Sequence, residues 1–127
     1  MIAKKPPATA RVQVKRVYEP PADADGLRIL VDRLWPRGLT KQKAGVDLWL
    51  KDVAPSDALR RRFHGNPAQW SAFVAAYRRE LRQEPAKSAA ANLREQIKHG
   101  HVTLLYAARD QAHNNAVALK KLLARKR

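Results

Sequence analysis

Residues 28–38, with the sequence RILVDRLWPRG, constrain the fold of this chain more than any other segment. Apolar and polar residues alternate along it with the period of a β-strand, which predicts a strand over residues 28–35. Pro36 ends this strand, and Gly38 lets the chain turn sharply after it. A charged side chain among apolar neighbours needs a partner or a ligand, so we expect polar interactions at this strand end.

The composition indicates one small globular domain. The chain has 127 residues, of which 45% are hydrophobic, and this suffices for one hydrophobic core. No stretch of 18 apolar residues exists, which excludes a membrane span, and the start MIAKKPPATA lacks the apolar region of a signal peptide. The absence of cysteine excludes disulfides, thiolate metal sites and thiol catalysis. We therefore expect a cytoplasmic protein with a flexible basic tail over residues 1–10 and a single domain over residues 11–127.

The net charge of +15 suggests contact with polyanions, but its distribution weakens that indication. Residues 1–16 and 120–127 each carry five basic residues and no acid, so two thirds of the net charge lies near the ends. Basic ends can attract nucleic acid without reading its sequence, and they also serve solubility. A nucleic-acid-binding or regulatory module that uses these ends and Arg60–Arg62 is therefore an alternative function.

The remaining pattern predicts an α/β fold. We expect a first strand over residues 12–18, a strand or extended segment over 46–53 and a doubly covered strand over 102–106. Helices are predicted to begin at Ser56, Asn66 and Pro85, and a last helix is predicted with Asp110 as its cap. This order indicates a single small domain with a mainly parallel sheet and packed helices.

Charged and polar side chains lie at the ends of two of the predicted strands. Ligands of open α/β sheets bind beyond the carboxyl ends of the strands, so these groups are candidates for one site. The candidate ligand-binding residues are Asp32, Arg33, Trp35 and Arg37 at the end of the second strand, Tyr106, Arg109, Asp110 and Asn114 at the end of the last strand, and Lys51.

These residue types predict a small anionic ligand that bears phosphate or carboxylate, because arginine pairs with both groups bidentately. We expect Arg33, Arg37 and Arg109 to hold the anion. Asp32 and Asp110 orient the arginines, or one of them serves as a base if its pKa is raised. Lys51 and Tyr106 are expected at the rim. The alternative is an internal network of these carboxylates and arginines that fixes the loops and binds nothing.

Other chemistry has little support in the sequence. The four histidines lack the spacing of a zinc motif, and neither a glycine-rich phosphate loop nor a nucleophile elbow is present. We therefore expect no metal and no cofactor. The sequence leaves open whether the protein is an enzyme and what its oligomeric state is.

Four segments together resemble the YeaO-like bacterial proteins, a family of domains of unknown function (DUF488). These segments are RILVDRLWPRG, WLKDVAPSDALRRRF, NPAQWSAFVAAYRREL and VTLLYAARDQAHNNA, and the resemblance covers about residues 12–124. The family pattern includes each candidate site residue named above. The resemblance implies a small cytoplasmic α/β protein and no particular activity. A distant branch carries cysteines after the last strand, and its thiol chemistry does not carry over to this cysteine-free chain.

Overall fold

The structure, a computed structural model, describes residues 12–124, and the predicted flexible tail lies outside this range. The strands are β1 (Val12–Arg16), β2 (Leu27–Leu30), β3 (Leu48–Trp49) and β4 (Val102–Tyr106). They form one sheet in the order β1–β4–β2–β3, in which all neighbouring strands are parallel. The predicted α/β fold with a mainly parallel sheet is thereby confirmed.

Five helices connect and cover these strands in the described part of the chain. They are α1 (Lys41–Ala44), α2 (Asp57–Phe63), α3 (Trp70–Glu80), α4 (Ala86–His99) and α5 (Asn115–Ala124). The predicted helix starts are confirmed, since Ser56 caps α2, Pro85 directly precedes α4, and Asn66 caps a short 3-10 turn that leads into α3. Within residues 12–124, no helix has the length and apolar composition needed to cross a membrane.

The two faces of the sheet are covered differently. One face packs against α2 to α5, where buried residues such as Ile29, Leu104 and Leu119 form the main core. The other face carries a smaller cluster around Leu30 and Leu105, which α1 and its flanking loops cover. All five residues of β4 are buried, as predicted for a strand covered on both faces.

The prediction that the second strand extends to residue 35 is wrong, because β2 ends at Leu30. Val31 N still donates to Leu105 O at 3.1 Å, but the chain then leaves the sheet. A strand continues only while neighbouring backbone pairs with it, and here β4 ends at Tyr106 while β3 has two residues. The alternating pattern beyond Val31 therefore belongs to a loop.

The segment over residues 46–53 forms less strand than predicted. Only Leu48 and Trp49 pair with β2, and a 3-10 turn follows at Lys51–Val53. The buried Tyr77 hydroxyl donates to the carbonyl of Val53 at 2.5 Å, which ties this turn to α3. A contact with a residue so distant in sequence leaves no local signal in this segment.

Ser56 stabilises the start of α2 by capping the helix and by donating two hydrogen bonds to the carboxylate of Glu80. Its Oγ accepts from Leu59 N at 3.1 Å and donates to Glu80 Oε2 at 2.6 Å, and its backbone N donates to Glu80 Oε1 at 2.8 Å. We expect Ser56→Ala to lower the free energy of unfolding by about 1–2 kcal/mol in urea denaturation. Ser71→Ala, at an exposed position of α3, should change it by less than about 0.5 kcal/mol. Equal effects of the two variants would show that the cap contributes nothing.

Candidate functional site

Asp32 joins the carboxyl ends of β2 and β4. Its Oδ2 accepts a hydrogen bond from Ala107 N at 2.9 Å, directly after β4. Its backbone carbonyl accepts one from Trp49 Nε1 at 2.8 Å. The neighbouring carbonyl of Val31 accepts from Asn115 Nδ2 at 2.7 Å, which adds the start of α5. Three elements therefore meet at the end of β2.

The environment of Asp32 raises the pKa of its carboxyl group. Burial is the main cause, and hydrogen bonds from Asn115 and Ala107 N oppose it together with the charge of Arg60. A raised pKa is compatible with a base, but the hydrogen bond to Ala107 N already occupies Oδ2. The hydrogen bond from Ala107 N ties Asp32 to the end of β4, and a role of Asp32 as a base stays a prediction.

The side chain of Arg33 contacts the loop that precedes α2. Its Nε and Nη2 donate to the carbonyls of Pro55 and Ala54 at 3.4 and 3.2 Å. These acceptors orient the guanidinium but are neutral. Among residues 12–124, neither Arg33 nor Arg37 forms an ion pair with a carboxylate.

Arg37 and Tyr18 connect the loops that follow β2 and β1. The Tyr18 hydroxyl donates to the backbone carbonyl of Arg37 at 2.9 Å, and the Arg37 residue is exposed. The Arg16 guanidinium lies 4.9 Å from the centre of the Tyr18 ring and donates to the carbonyls of Ala107 and Ala108. The ends of β1, β4 and β2 are therefore held side by side.

These loops enclose a pocket of about 410 Å³ at the carboxyl edge of the sheet. This volume lies within the ordinary range for small-molecule sites. The pocket is lined by Tyr18, Asp32, Arg33, Leu34, Trp35, Pro36, Arg37, Ala54, Pro55, Arg60, Ala107, Ala108 and Asn115. Three arginines face one carboxylate in this lining. Arg60 also pairs with exposed Asp57 at 3.1 Å, which screens part of its charge.

Trp35 separates this pocket from a neighbouring groove. Its Nε1 donates to Leu39 O at 2.7 Å, and its ring packs edge-on against Trp49 with 5.4 Å between the ring centres. Lys51 Nζ lies 4.7 Å from the centre of the Trp49 ring and does not line the pocket. Trp35 and Trp49 also line a groove of about 470 Å³ beside β3.

The structure therefore brings together four of the nine predicted site residues, namely Asp32, Arg33, Trp35 and Arg37. The pocket lining does not include Lys51, Tyr106 at the end of β4, or Arg109, Asp110 and Asn114 after β4. Tyr106 is buried, and burial raises the pKa of its hydroxyl. Arg109 is exposed on the loop. A role of these five residues in binding stays a prediction.

Asp110 and Asn114 instead shape the loop between β4 and α5. Asp110 Oδ1 accepts from the backbone N of Ala112 and His113, which lowers the pKa of this carboxyl group. The prediction that Asp110 caps the last helix is wrong, because Asn114 Oδ1 accepts from Val117 N at 2.9 Å and caps α5. Asparagine and aspartate are equally good caps, so residue type does not distinguish the two positions.

Sequence reasoning missed Tyr18, Arg60 and Asn115 as pocket residues. Tyr18 follows a strand, so the rule that ligands bind at strand ends could have found it. Asn115 is adjacent to a residue that was predicted. Arg60 lies within a run of three arginines on α2, where nothing local indicates which side chain faces the sheet. In the part of the chain that the structure describes, no group of three histidine or acidic residues could hold a metal ion.

The fold and this site define a small α/β domain with an arginine-lined pocket at the carboxyl ends of parallel strands. The chain belongs to the family described as the inactive DUF488-N3 subclade, whose model matches residues 11–127, and the resemblance to the DUF488 family is thereby confirmed.

Curated relatives match over most of their length. The chain is 42% identical to the uncharacterized protein YeaO of Escherichia coli strain K12 over 108 residues, which cover 85% of this chain and 92% of that protein. It is also 42% identical over 113 residues to the uncharacterized protein Rv3073c of Mycobacterium tuberculosis and to the uncharacterized protein Mb3100c of Mycobacterium bovis, covering 89% of this chain and 93% of each relative. No solved structure matches the chain.

Proposed function

We propose that this protein binds a small anion in the pocket at the carboxyl ends of β1, β2 and β4, and that it does so without chemical turnover. The observation that carries the proposal is the pair Arg33 and Arg37, two charges at one cavity that form no ion pair with a carboxylate among residues 12–124. Arg60 contributes a third positive charge, and Asp32 contributes one negative charge. A phosphate or carboxylate group would neutralise this excess.

Binding is favoured by the way Arg33 is held. Its two hydrogen bonds to backbone carbonyls fix the guanidinium before a ligand arrives, so less side-chain entropy is lost on binding. Arginine presents its N–H groups in a planar fork that matches the oxygens of phosphate and carboxylate. The pocket thus offers one donor that the protein orients, Arg33, and one exposed donor, Arg37.

The proposal of binding without turnover rests on two observations. The family is described as an inactive subclade, which favours a binding role. The one carboxylate in the pocket lining, Asp32, is engaged by Ala107 N and by Asn115, so it supports the strand ends.

The proposal predicts that Arg37→Ala weakens binding of inorganic phosphate or acetate at least about tenfold, because it removes a charge-assisted hydrogen bond. The measurement is the shift of the melting temperature with ligand concentration at fixed ionic strength, since binding to the folded state stabilises it. Arg37 is the suitable target because its hydrogen bond with Tyr18 uses the backbone carbonyl, which alanine retains.

Arg61→Ala is the matched control, because it removes the same charge from an exposed position of α2 outside the pocket lining. Binding by this variant should stay within about twofold of the unchanged protein. Equal losses in the two variants would mean that the anion responds only to net charge, and the proposed site would be wrong.

The alternative function, a nucleic-acid-binding or regulatory module, stays a prediction. The arginines that it would use, Arg60–Arg62, lie on different sides of α2. Arg60 lines the anion pocket, while Arg62 lines a small cleft against α3. Consecutive residues on a helix do not face the same way, so the three arginines form no single groove-reading surface. Six of the ten basic residues at the ends lie outside the described range.

A further inference from the structure

Two large hydrophobic side chains are strongly exposed within residues 12–124, and both line the same pocket. Tyr18 is 41% exposed and Leu34 is 62% exposed. A single exposed hydrophobic residue needs no explanation, because much of any protein surface is apolar. Their shared location, beside arginines that form no ion pair within this range, indicates a surface that a ligand covers.

The two side chains approach the pocket from different strands. Tyr18 follows β1 and Leu34 follows β2, and β4 lies between these strands in the sheet. Tyr18 is fixed by its hydrogen bond to Arg37 O and by the Arg16 guanidinium against its ring. The apolar surface is therefore built into the rim beside Arg37.

The pocket is also larger and more apolar than a simple inorganic anion requires. A volume of about 410 Å³ corresponds to an organic small molecule, and Pro36, Pro55 and Ala108 add apolar surface to the wall. Such sites usually combine a few polar groups, which fix one end of the ligand, with an apolar wall that contacts the remainder of the ligand.

We propose that the ligand is an amphiphilic anion, in which a phosphate or carboxylate group is joined to an apolar or aromatic body. This inference rests on the proposed anion site. The anionic group lies at Arg33, Arg37 and Arg60, and the body packs against Leu34 and Tyr18. Burial of that body provides affinity that inorganic phosphate lacks.

The test is isothermal titration calorimetry of the full chain at fixed ionic strength with four probes. Inorganic phosphate is the bare anion, phenyl phosphate and benzoate join an aromatic ring to each anionic group, and benzyl alcohol is a neutral aromatic control. We expect one of the two aromatic anions to bind at least about tenfold more tightly than inorganic phosphate. Benzyl alcohol should bind more weakly than that anion by a similar factor. The better of the two aromatic anions identifies the anionic group.

Leu34 provides the specific variant. Leu34→Ser should weaken the better aromatic anion about fivefold or more and leave inorganic phosphate unchanged, because only the apolar body contacts this side chain. Leu34→Met, which keeps an apolar side chain of similar volume, should retain most of the affinity. Leu34 is exposed, so neither variant is expected to impair folding.

Different results overturn the two proposals separately. If inorganic phosphate binds as tightly as both aromatic anions and Leu34→Ser changes nothing, while Arg37→Ala still weakens binding at least about tenfold, the anion site stands and the amphiphilic ligand is wrong. If benzyl alcohol binds as tightly as the aromatic anions, the anionic group is irrelevant and both proposals fail. If none of the anions binds, both proposals fail as well.

Discussion

Replacement of Asp25 by alanine is expected to lower the free energy of unfolding by about 3–5 kcal/mol, because it leaves a buried guanidinium without its counterion. Asp25 and Arg28 are only 2% and 3% exposed. Arg28 Nη1 lies 2.6 Å from Asp25 Oδ2, and Lys15 Nζ lies 2.9 Å from the same oxygen. Urea denaturation of Asp25→Ala and of the unchanged protein measures the loss.

Arg28 cannot easily reach water to avoid this cost. Its Nε donates to Gly45 O at 3.1 Å, and its Nη2 donates to Ala44 O and Glu19 O at 2.9 and 3.3 Å. Moving the guanidinium outward would leave these carbonyls without a donor. The side chain therefore stays buried and unpaired in the variant, which is the costly case for a broken ion pair.

The effect of Asp25→Ala should also depend on pH. Burial acts to raise the pKa of Asp25, but hydrogen bonds from Lys15, Ala22 N and Arg28 outweigh it and hold the pKa at about 2, below the ordinary 3.8. Because the pKa is lower in the folded state, the carboxylate stabilises the fold above pH 4, and this contribution is lost as the pH falls from about 4 to 2. The difference between the two proteins should therefore shrink over that interval.

Glu95→Ala is the control for this variant. Glu95 forms an exposed ion pair with Lys98 at 3.6 Å, and such pairs contribute less than about 1 kcal/mol. An equally small effect for Asp25→Ala would show that Arg28 finds another partner or water, and the burial argument would be wrong.

Local signals were sufficient to predict where α2, α3 and α4 begin. Ser56 and Asn66 accept hydrogen bonds from the first turns that follow them, and Pro85 directly precedes α4. A cap and the backbone N–H that it satisfies lie within three residues, so the relevant chemistry is visible in a short stretch of sequence. The same holds for β4, whose apolar run indicated burial on both faces.

The end of β2 and half of the candidate site could not be predicted in this way, because they depend on distant partners. Whether residues after Leu30 remain in a strand is decided by the length of β4, some seventy residues later. Arg33 is positioned by carbonyls 21 and 22 residues away. In the loop after β4, Asp110 Oδ1 accepts hydrogen bonds from the backbone N of Ala112 and His113, and the neighbouring Arg109 does not line the pocket.

The polar residues that matter most for stability were also not distinguished by their sequence pattern. Arg28 begins the same alternating segment as Arg33, but the first pairs with Asp25 inside the protein and the second faces the pocket. An arginine in a strand predicts that a partner exists without indicating whether the partner is a carboxylate, a backbone carbonyl or a ligand.

Gly26→Ala is expected to destabilise the protein by about 2–5 kcal/mol, through backbone strain and overpacking together. Gly26 connects Asp25 to β2 with φ of 62° and ψ of −137°, a conformation that side chains with a Cβ rarely adopt. A Cβ at this position would lie 2.3 Å from the carbonyl oxygen of His101. That oxygen accepts the hydrogen bond from Leu27 N at 3.0 Å at the start of the pairing between β2 and β4.

Gly65→Ala separates the two contributions, because Gly65 has a similar φ of 67° but nothing within 4 Å of the added Cβ. Its cost should be the strain alone, roughly 1–2 kcal/mol. The two variants are compared by urea denaturation at one pH. A difference of less than about 0.5 kcal/mol between them would mean that β2 and β4 shift to admit the methyl group without loss, and the close approach of Gly26 to His101 would not be a constraint. A clearly larger loss for Gly26→Ala would show that the close approach of Gly26 to the His101 carbonyl constrains the start of the pairing between β2 and β4.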